Sequence, residues 1–295
     1  MKILVTGGAG FIGSSLVDRI LAGGHHVDIV DDLRSGTLGN LAGARAEASG
    51  RLKIHQLDVR DDSLCDLLVH RRPEIVYHLA TNTDRSGSLS NSASASIDVA
   101  GTVQVLEAAL AAGTDKVVLA GSARARSGRS ARHTTRAMVD DLAVRYRELH
   151  GLEHTIVVLP TVFGPRQRPG RESAVVATFA ERLVRGQPCV VHGSGEQSRD
   201  LLYVDDAVDA LVKAATAADG LSVDVGTGRQ TSIASLHGAM AAMVGRDDEL
   251  VPGAERADEP GVVPVDPARA ELYLGWKAFT PLAEGLTDAV VALDR

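Results

Sequence analysis

Three glycines spaced three residues apart, Gly7, Gly10 and Gly13, are the first residues of the chain whose type and spacing could do chemistry. The apolar run 3–5 precedes them, and apolar residues at helical spacing follow them. In a strand, glycine turn and helix of this order, the glycines let a pyrophosphate approach the amides at the start of the helix. The spacing therefore predicts a dinucleotide site near the beginning of the chain.

Charged residues follow the second predicted strand, 26–30, where the adenosine ribose of such a dinucleotide would lie. Asp31 can accept hydrogen bonds from the ribose hydroxyls, which favours NAD. Arg34 and Ser35 could instead hold the 2′-phosphate of NADP, although Arg34 could equally be a solvated loop charge. The expected cofactor is therefore NADPH or NADH, and the sequence leaves the choice open.

Strands and helices alternate along the first half of the chain. Further strands are predicted at 52–57, 75–80, 116–120 and 155–159, with helices at 64–70, 97–112 and 136–150. Such alternation is typical of a parallel, doubly wound α/β sheet of the Rossmann type. Because ligands bind at the carboxyl ends of such strands, Asp58 and Val59 are expected beside the adenine, and Leu79, Ala80 and Pro160 beside the rest of the cofactor.

The regular alternation loosens after residue 162. We expect a dinucleotide-binding domain over 1–162, to whose sheet the later half returns, and a smaller, mainly substrate-binding C-terminal lobe over 163–295. Short strands at 189–192 and 221–225 are assigned to this lobe. The substrate would then lie between the two parts, over the carboxyl ends of the sheet.

Composition restricts the classes of partner. A net charge of -7 without any dense lysine or arginine block argues against nucleic acid or an anionic membrane. The two cysteines are too few for a disulfide framework, and neither has the spacing of a metal ligand. The chain has no segment typical of a signal peptide and no apolar run of bilayer length, so we expect a cytoplasmic protein without a metal site.

A set of short motifs extends over nearly the whole chain. They lie at 6–13, 77–80, 101–102, 162–165, 193–200, 203–206 and 226–228. Together they resemble the extended short-chain dehydrogenase/reductase family, the NAD-dependent sugar epimerases and dehydratases. The resemblance implies cofactor contacts from the glycine turn and from Phe11 and Ile12. It also implies substrate contacts from Thr81, Ser122, Ala123, Thr161, Phe163 and Arg199, the last at the position of the family's diphosphate-contacting arginine.

The family's usual acid and base are missing from the matching positions. Members carry a serine or threonine after the fifth strand and a Tyr-x-x-x-Lys pair on the next helix. Here the serine position falls on Ala123, with Ser122 one step away, and the tyrosine and lysine positions fall on Arg132 and Arg136. Asp98 replaces the helical asparagine. Arginine stays protonated, so it can stabilise negative charge but is a poor proton donor or base.

Three functions are compatible with a cofactor site that lacks its acid. The first is an NAD(P)H-dependent ketoreductase, because a nicotinamide supplies the hydride and a phenol next to the ketone can supply the proton. The chain resembles the atypical family members that tailor actinomycete aromatic polyketides. This resemblance implies an angucyclinone-type substrate near Ser122, Ala123, Pro160 and Thr161, beneath the segments 81–96 and 164–200.

The other two functions keep the cofactor but change the reaction. A sugar-nucleotide epimerase or dehydratase must oxidise an unactivated alcohol, which needs a base. His133 is the nearest candidate, although a surface histidine at the start of a helix is the simpler interpretation. A catalytically silent dinucleotide sensor that binds a partner would explain the lost residues without any substitute chemistry.

Arginines cluster before and within the 136–150 helix, at Arg124, Arg126, Arg129, Arg132 and Arg136. If this segment folds over the site, its guanidinium groups could hold a carboxylate or stack on a flat aromatic ligand. A short solvated loop would have the same composition. The resemblance also implies a homodimer through a face that includes this helix.

Overall fold

A seven-stranded parallel sheet forms the centre of the fold. The computed structural model describes residues 1–81, 96–126, 131–170, 174–247, 249–254 and 265–293. The sheet strands are β1 (Lys2–Thr6), β2 (His26–Asp31), β3 (Leu52–Gln56), β4 (Ile75–His78), β5 (Lys116–Ser122), β6 (Glu153–Leu159) and β10 (Leu221–Asp224). Their order is β3-β2-β1-β4-β5-β6-β10, and every pair is parallel. This is the Rossmann order with one added strand, so the predicted α/β fold is confirmed.

The connections between the sheet strands are mostly helical. The helices are α1 (Phe11–Ala22), α2 (Ala42–Glu47), α3 (Ser63–Arg71), α4 (Gly101–Ala112), α5 (Ala123–Arg126), α6 (Ala131–His150), α7 (Val175–Val184), α8 (Val204–Ala214), α9 (Ile233–Met243), α10 (Ala268–Leu274) and α11 (Leu282–Val291). A single π-helical turn, Ser96–Ala100, leads into α4. In the part of the chain that the structure describes, no helix is long and apolar enough to cross a membrane.

Alternate residues of the strands point into two separate cores, one on each face of the sheet. In β1, Ile3 and Val5 belong to the core that contains α1 and α8, whereas Leu4 belongs to the core that contains α3, α4 and α6. Strands buried on both faces read as continuous apolar runs because both sides must be covered. The apolar runs of the sequence therefore identified these strands correctly.

The smaller elements lie beyond the sixth sheet strand. β7 (Thr161–Phe163), β9 (Ser198–Tyr203) and β11 (Gln230–Ser232) form one small sheet, and β8 (Val190–His192) pairs with β12 (Val251–Gly253). The strand expected in the lobe at 221–225 instead pairs with β6 in the large sheet. The crossover helix α8 packs against α1 and β6, and this packing carries the chain back to the edge of the sheet.

Helical spacing over 136–150 predicts a buried face of Met138, Leu142, Tyr146 and Leu149, but helix α6 buries a different face. Thr135, Val139 and Ala143 are buried at intervals of four residues, whereas Met138 and Leu149 are 52% and 74% exposed. The buried stripe consists of small and β-branched side chains, which let the helix approach the sheet closely. The larger side chains of Met138 and Leu149 face the solvent as a result.

Candidate functional site

The glycine turn after β1 folds so tightly that two of its three spaced glycines, Gly7 and Gly13, leave no room for a side chain. Gly7 has φ +70°, and a Cβ atom on it would lie 2.8 Å from the backbone nitrogen of Ala80. A Cβ atom on Gly13 would lie 2.1 Å from the carbonyl oxygen of Gly7. Gly10 precedes α1, and no side chain caps that helix. The amides at its start are therefore available to an anion, so the turn fits a pyrophosphate.

The residues expected to contact cofactor and substrate converge on the carboxyl edge of the large sheet. Thr6 at the end of β1 is the register partner of His78 on β4, and Ser122 on β5 is the partner of Leu159 on β6. Around these ends the expected contacts are half-buried: Gly7, Gly10, Phe11, Ile12, Leu79, Ala80, Thr81, Ser122, Pro160 and Thr161. A row of half-buried residues at this edge is where open α/β sheets bind ligands.

Asp31 fastens the glycine turn to the end of β2. Its carboxylate accepts hydrogen bonds from the backbone nitrogens of Ala9, at 2.9 Å, and Leu33, at 2.8 Å. The residue is 6% exposed, and burial raises the pKa of its carboxyl group. The sequence suggested a contact to ribose hydroxyls, and the structure adds a role in holding the turn.

A cluster of charges lies beside Asp31. The Nη2 atom of Arg34 lies 3.2 Å from the carboxylate of Asp32 and 3.5 Å from that of Asp58. Arg60 donates to both oxygens of Asp58, at 2.9 and 2.6 Å, and this pairing lowers the pKa of Asp58 to about 2. Ser35 is exposed. Arg34 is thus part of an ion-pair cluster. The Asp-x-Arg spacing of residues 58–60 could have indicated this cluster from the sequence.

Val59 is placed differently from its neighbour Asp58. Its side chain is 5% exposed and would lie 2.8 Å from a Cβ atom on Gly101. The side chain of Val59 therefore packs in the core against the start of α4, and the expected contact of this residue with adenine stays a prediction. The carboxylate of Asp58 is the more accessible part of this pair, at 28% exposure.

The residues predicted at the positions of the family's acid and base lie on β5, α5 and α6. Ser122 is the last residue of β5 and is half-buried, whereas Ala123 is buried at the start of α5. The Nε atom of Arg136 lies 3.3 Å from the carboxylate of Asp140, with 11% and 21% of the two side chains exposed. Arg132 lies on α6, but its side chain is outside the described part of the structure.

Two further positions flank this region. Asp98 lies in the π-helical turn, and its backbone oxygen accepts the hydroxyl of Thr102 at 2.6 Å. The side chain of His133, residues 82–95 of the predicted 81–96 ligand segment and residues 127–130 of the arginine-rich segment lie outside the described residues. In the described residues, no three side chains of the metal-binding types lie together.

The predicted substrate contacts in the lobe are buried. Phe163 is 1% exposed, and its ring packs edge to face on Tyr203 with 5.8 Å between centroids. A Cβ atom on Gly285 would lie 3.0 Å from the same ring. Phe163 is therefore a core residue rather than a lining residue. Arg199 is 4% exposed and donates to the carbonyl oxygen of Ser198 at 2.6 Å.

Comparisons with known proteins find a family model and curated relatives that are similar to this chain. Residues 3–226 match the NAD dependent epimerase/dehydratase family. A UDP-glucose 4-epimerase of Mycolicibacterium smegmatis is 38% identical over 310 residues, covering 98% of this chain and 97% of that protein. Neither match concerns an aromatic polyketide.

Two solved structures are similar over the whole chain. The UDP-glucose 4-epimerase of Thermotoga maritima with UDP-glucose has a TM-score of 0.94 and 30% identity, covering 100% of this chain and 99% of that one. The UDP-glucose 4-epimerase of Thermus thermophilus in complex with NAD has a TM-score of 0.92 and 27% identity, with the same coverage.

Proposed function

Because the chain belongs to the NAD-dependent epimerase/dehydratase family, we propose that it binds NADH or NADPH and reduces a carbonyl of its substrate. The glycine turn, the uncapped start of α1 and the half-buried row of residues at the sheet edge support the cofactor part of the proposal. When bound, the nicotinamide supplies the hydride. The chain must then orient the carbonyl and stabilise the charge that develops on its oxygen.

The direction of the reaction rests on one observation, which is the pairing of Arg136 with Asp140 at the family's lysine position. Oxidation of an unactivated alcohol needs a base that accepts the hydroxyl proton, and a protonated guanidinium paired with a carboxylate does not act as one. Reduction needs a proton donor instead. Loss of that donor costs about 10²–10⁴ in rate, or about 3–5 kcal/mol, which a reactive ketone tolerates.

We infer that the substrate carries its own donor, as does a ring ketone beside a phenol in an aromatic polyketide of the angucyclinone type. The phenol would pass its proton to the carbonyl oxygen as hydride arrives. Ser122, at the end of β5, offers a hydroxyl that can hydrogen-bond the same oxygen. Thr161, just beyond the end of β6, would line the same side of the cleft.

A sugar-nucleotide substrate is the second candidate, and a specific set of observations favours it. The relatives compared above are named for UDP-glucose epimerisation. The resemblance of the 193–200 motif implies that Arg199 contacts a diphosphate. On this alternative the chain needs a base, for which His133 is the nearest residue in the sequence. A homodimer through α6, whose Met138 and Leu149 are exposed, is part of either proposal.

The decisive experiment follows nicotinamide absorbance with purified protein and NADH or NADPH. An angucyclinone with a ketone beside a phenol and the methyl ether of that phenol are offered in parallel with UDP-glucose and dTDP-glucose. With the free phenol, we expect one equivalent of alcohol to form for each equivalent of cofactor consumed. With the methyl ether, we expect no consumption of cofactor. Equal turnover of the ether would show that the substrate phenol is not the donor.

The sugar-nucleotide arm is monitored by product identity, because epimerisation returns the cofactor to its starting state. Formation of UDP-galactose or of a 4-keto sugar would replace the ketoreductase proposal with the second candidate. Binding of NADH without turnover in any arm would favour a silent sensor. Ser122→Ala is the matched variant, and we expect it to lower kcat without removing cofactor binding.

A further inference from the structure

The ring of His78 joins three parts of the carboxyl edge of the sheet. Its Nδ1 atom lies 2.8 Å from the hydroxyl of Thr6 on β1, and its Nε2 atom lies 3.1 Å from the hydroxyl of Thr102 on α4. The hydroxyl of Thr102 donates to the carbonyl oxygen of Asp98 at 2.6 Å. The backbone nitrogen of Ala80 donates to the hydroxyl oxygen of Thr6 at 3.2 Å.

The partners determine where each proton of this chain lies. The carbonyl oxygen of Asp98 can only accept, so the hydroxyl of Thr102 donates to it and its oxygen accepts the Nε2 proton of His78. Nδ1 then carries no proton and accepts the hydroxyl proton of Thr6. The oxygen of Thr6 is left to accept the amide of Ala80. One tautomer of the imidazole therefore satisfies every donor and acceptor, as inferred from the network.

The imidazole of His78 is neutral near neutral pH. Burial lowers the pKa of His78 to about 3, and the nearby positive charge of Arg136 contributes to the same shift. The residue is 3% exposed. A group of this kind does not exchange protons with a substrate near neutral pH, so its role must come from the bonds it holds.

Those bonds reach two pieces of main chain, which are the end of β4 beside the glycine turn and the π-helical turn before α4. The backbone nitrogen of Leu79 donates to the carbonyl oxygen of Thr6 at 3.1 Å, and a Cβ atom on Gly7 would lie 2.8 Å from the nitrogen of Ala80. Main chain at the end of β4 is therefore held in direct contact with the glycine turn. On its other side, the imidazole holds the π-helical turn, a kind of element that is frequent at functional sites.

We propose that His78 is a positioning residue for the dinucleotide, which holds the amide of Ala80 against the glycine turn through Thr6 and the turn before α4 through Thr102. The proposal rests on the cofactor site proposed above. It does not depend on which carbonyl or sugar the protein acts on. The hydrogen bonds of Nδ1 to Thr6 and of Nε2 to Thr102 can be tested separately, because different amide side chains replace the two nitrogen atoms.

Two variants test these two hydrogen bonds separately. His78→Asn places an amide near the position of Nδ1, so it keeps a partner for Thr6 and removes the bond to Thr102. His78→Gln reaches the position of Nε2, so it keeps the bond to Thr102 and removes the acceptor for Thr6. We expect NADH to bind about five- to tenfold more weakly to the Gln variant, since one neutral hydrogen bond contributes about that factor. The Asn variant should stay within about threefold of the parent.

Amide hydrogen exchange is the second readout, and it does not require any cofactor. Exchange at Ala80 should accelerate in His78→Gln and in Thr6→Val, and should stay near the parent rate in His78→Asn and in Thr102→Val. Ring ¹⁵N shifts of His78 should report the Nε2-protonated tautomer in the parent. Thermal unfolding of all four variants separates these local effects from a general loss of stability.

The outcomes distinguish failure of the positioning role of His78 from failure of the proposed cofactor binding. If the parent binds NADH while His78→Gln and Thr6→Val bind it equally well, the positioning role is wrong even though the proposed function stands. If the parent fails to bind NADH or NADPH, the proposed function is wrong, and exchange at Ala80 still decides whether His78 holds this segment. Unchanged exchange at Ala80 in both His78→Gln and Thr6→Val would overturn the proposal.

Discussion

Gly7 and Ala80 approach each other so closely that a Cβ atom added to Gly7 would lie 2.8 Å from the backbone nitrogen of Ala80. The two residues follow β1 and β4, which are neighbours in the large sheet. The contact brings the glycine turn and the end of β4 together without a side chain between them. An extended dinucleotide can then lie across both backbone segments.

Replacement of Gly7 by alanine should therefore cost more than the same change at another glycine with positive φ. Gly24 has φ +81° and open space around its Cβ position, so Gly24→Ala should cost about 1–2 kcal/mol from backbone strain alone. Gly7→Ala adds a clash with main chain, for a total of about 3 kcal/mol or more. Urea unfolding measures the difference, and equal losses in the two variants would contradict the steric argument.

Arg34 should influence the choice between the two cofactors. Its guanidinium is held 3.2 Å from Asp32 and 3.5 Å from Asp58, beside the expected position of the ribose. Arg34→Ala should lower kcat/KM for NADPH more than that for NADH, by about tenfold in the ratio, because a 2′-phosphate gains most from a nearby cation. Arg45→Ala, on the exposed surface of α2, is the charge-matched control. An unchanged ratio would assign Arg34 to the ion-pair cluster alone.

Two ion pairs on α6 should differ in their contribution to stability. The pair of Arg136 and Asp140 is mostly buried, so Arg136→Met should lower the free energy of unfolding by about 3 kcal/mol by removing a cation from beside a mostly buried carboxylate. Arg145 pairs with Asp141 on the same helix at 3.7 Å, with both side chains more than half exposed. Arg145→Met should cost less than about 1 kcal/mol. Comparable losses, measured by chemical denaturation, would mean that burial does not matter here.

Replacement of His154 on β6 by an apolar residue should make the folded protein more stable. It is 1% exposed, and neither ring nitrogen has a hydrogen-bond partner among the described residues. His154→Leu should raise the free energy of unfolding by about 1 kcal/mol, because no polar atom is then buried without a partner. His55, whose Nε2 atom lies 2.9 Å from Asp28, is the control, and His55→Leu should be destabilising. A loss in both variants would indicate that the fit of the imidazole ring matters more than its polarity.

Acid should destabilise the protein partly through His78. Its pKa is about 3 in the folded state against an ordinary value of 6.5, so below pH 6.5 the unfolded chain binds a proton that the folded chain does not. Stability linked to this group is complete above pH 6.5 and falls by about 1.4 kcal/mol per unit as the pH decreases toward 3. The unfolding free energy of His78→Gln should lack this component. Parallel pH profiles for the parent and the variant would contradict the low pKa.

Much of the fold was predictable because its signals are local. The apolar runs of the sheet strands and the glycine spacing before α1 depend only on neighbouring residues, and the structure places them as expected. The predicted burial of Met138 and Leu149 was wrong, since helical periodicity allows several faces and the close approach of α6 selected the one with small side chains. Phe163 was assigned to the substrate, but packing against Tyr203 and Gly285 places it in the core.

The sequence by itself determined the strand, glycine turn and helix at the start of the chain, and it predicts Arg132 and Arg136 at the positions of the family's tyrosine and lysine, because residue identity and short spacing are local properties. Only the tertiary structure decided that Asp31 holds the glycine turn and that His78 connects β1 to α4. The reason is physical: Thr6 and His78 lie 72 residues apart in the chain, and their hydrogen bond exists because β1 and β4 are adjacent in the folded sheet.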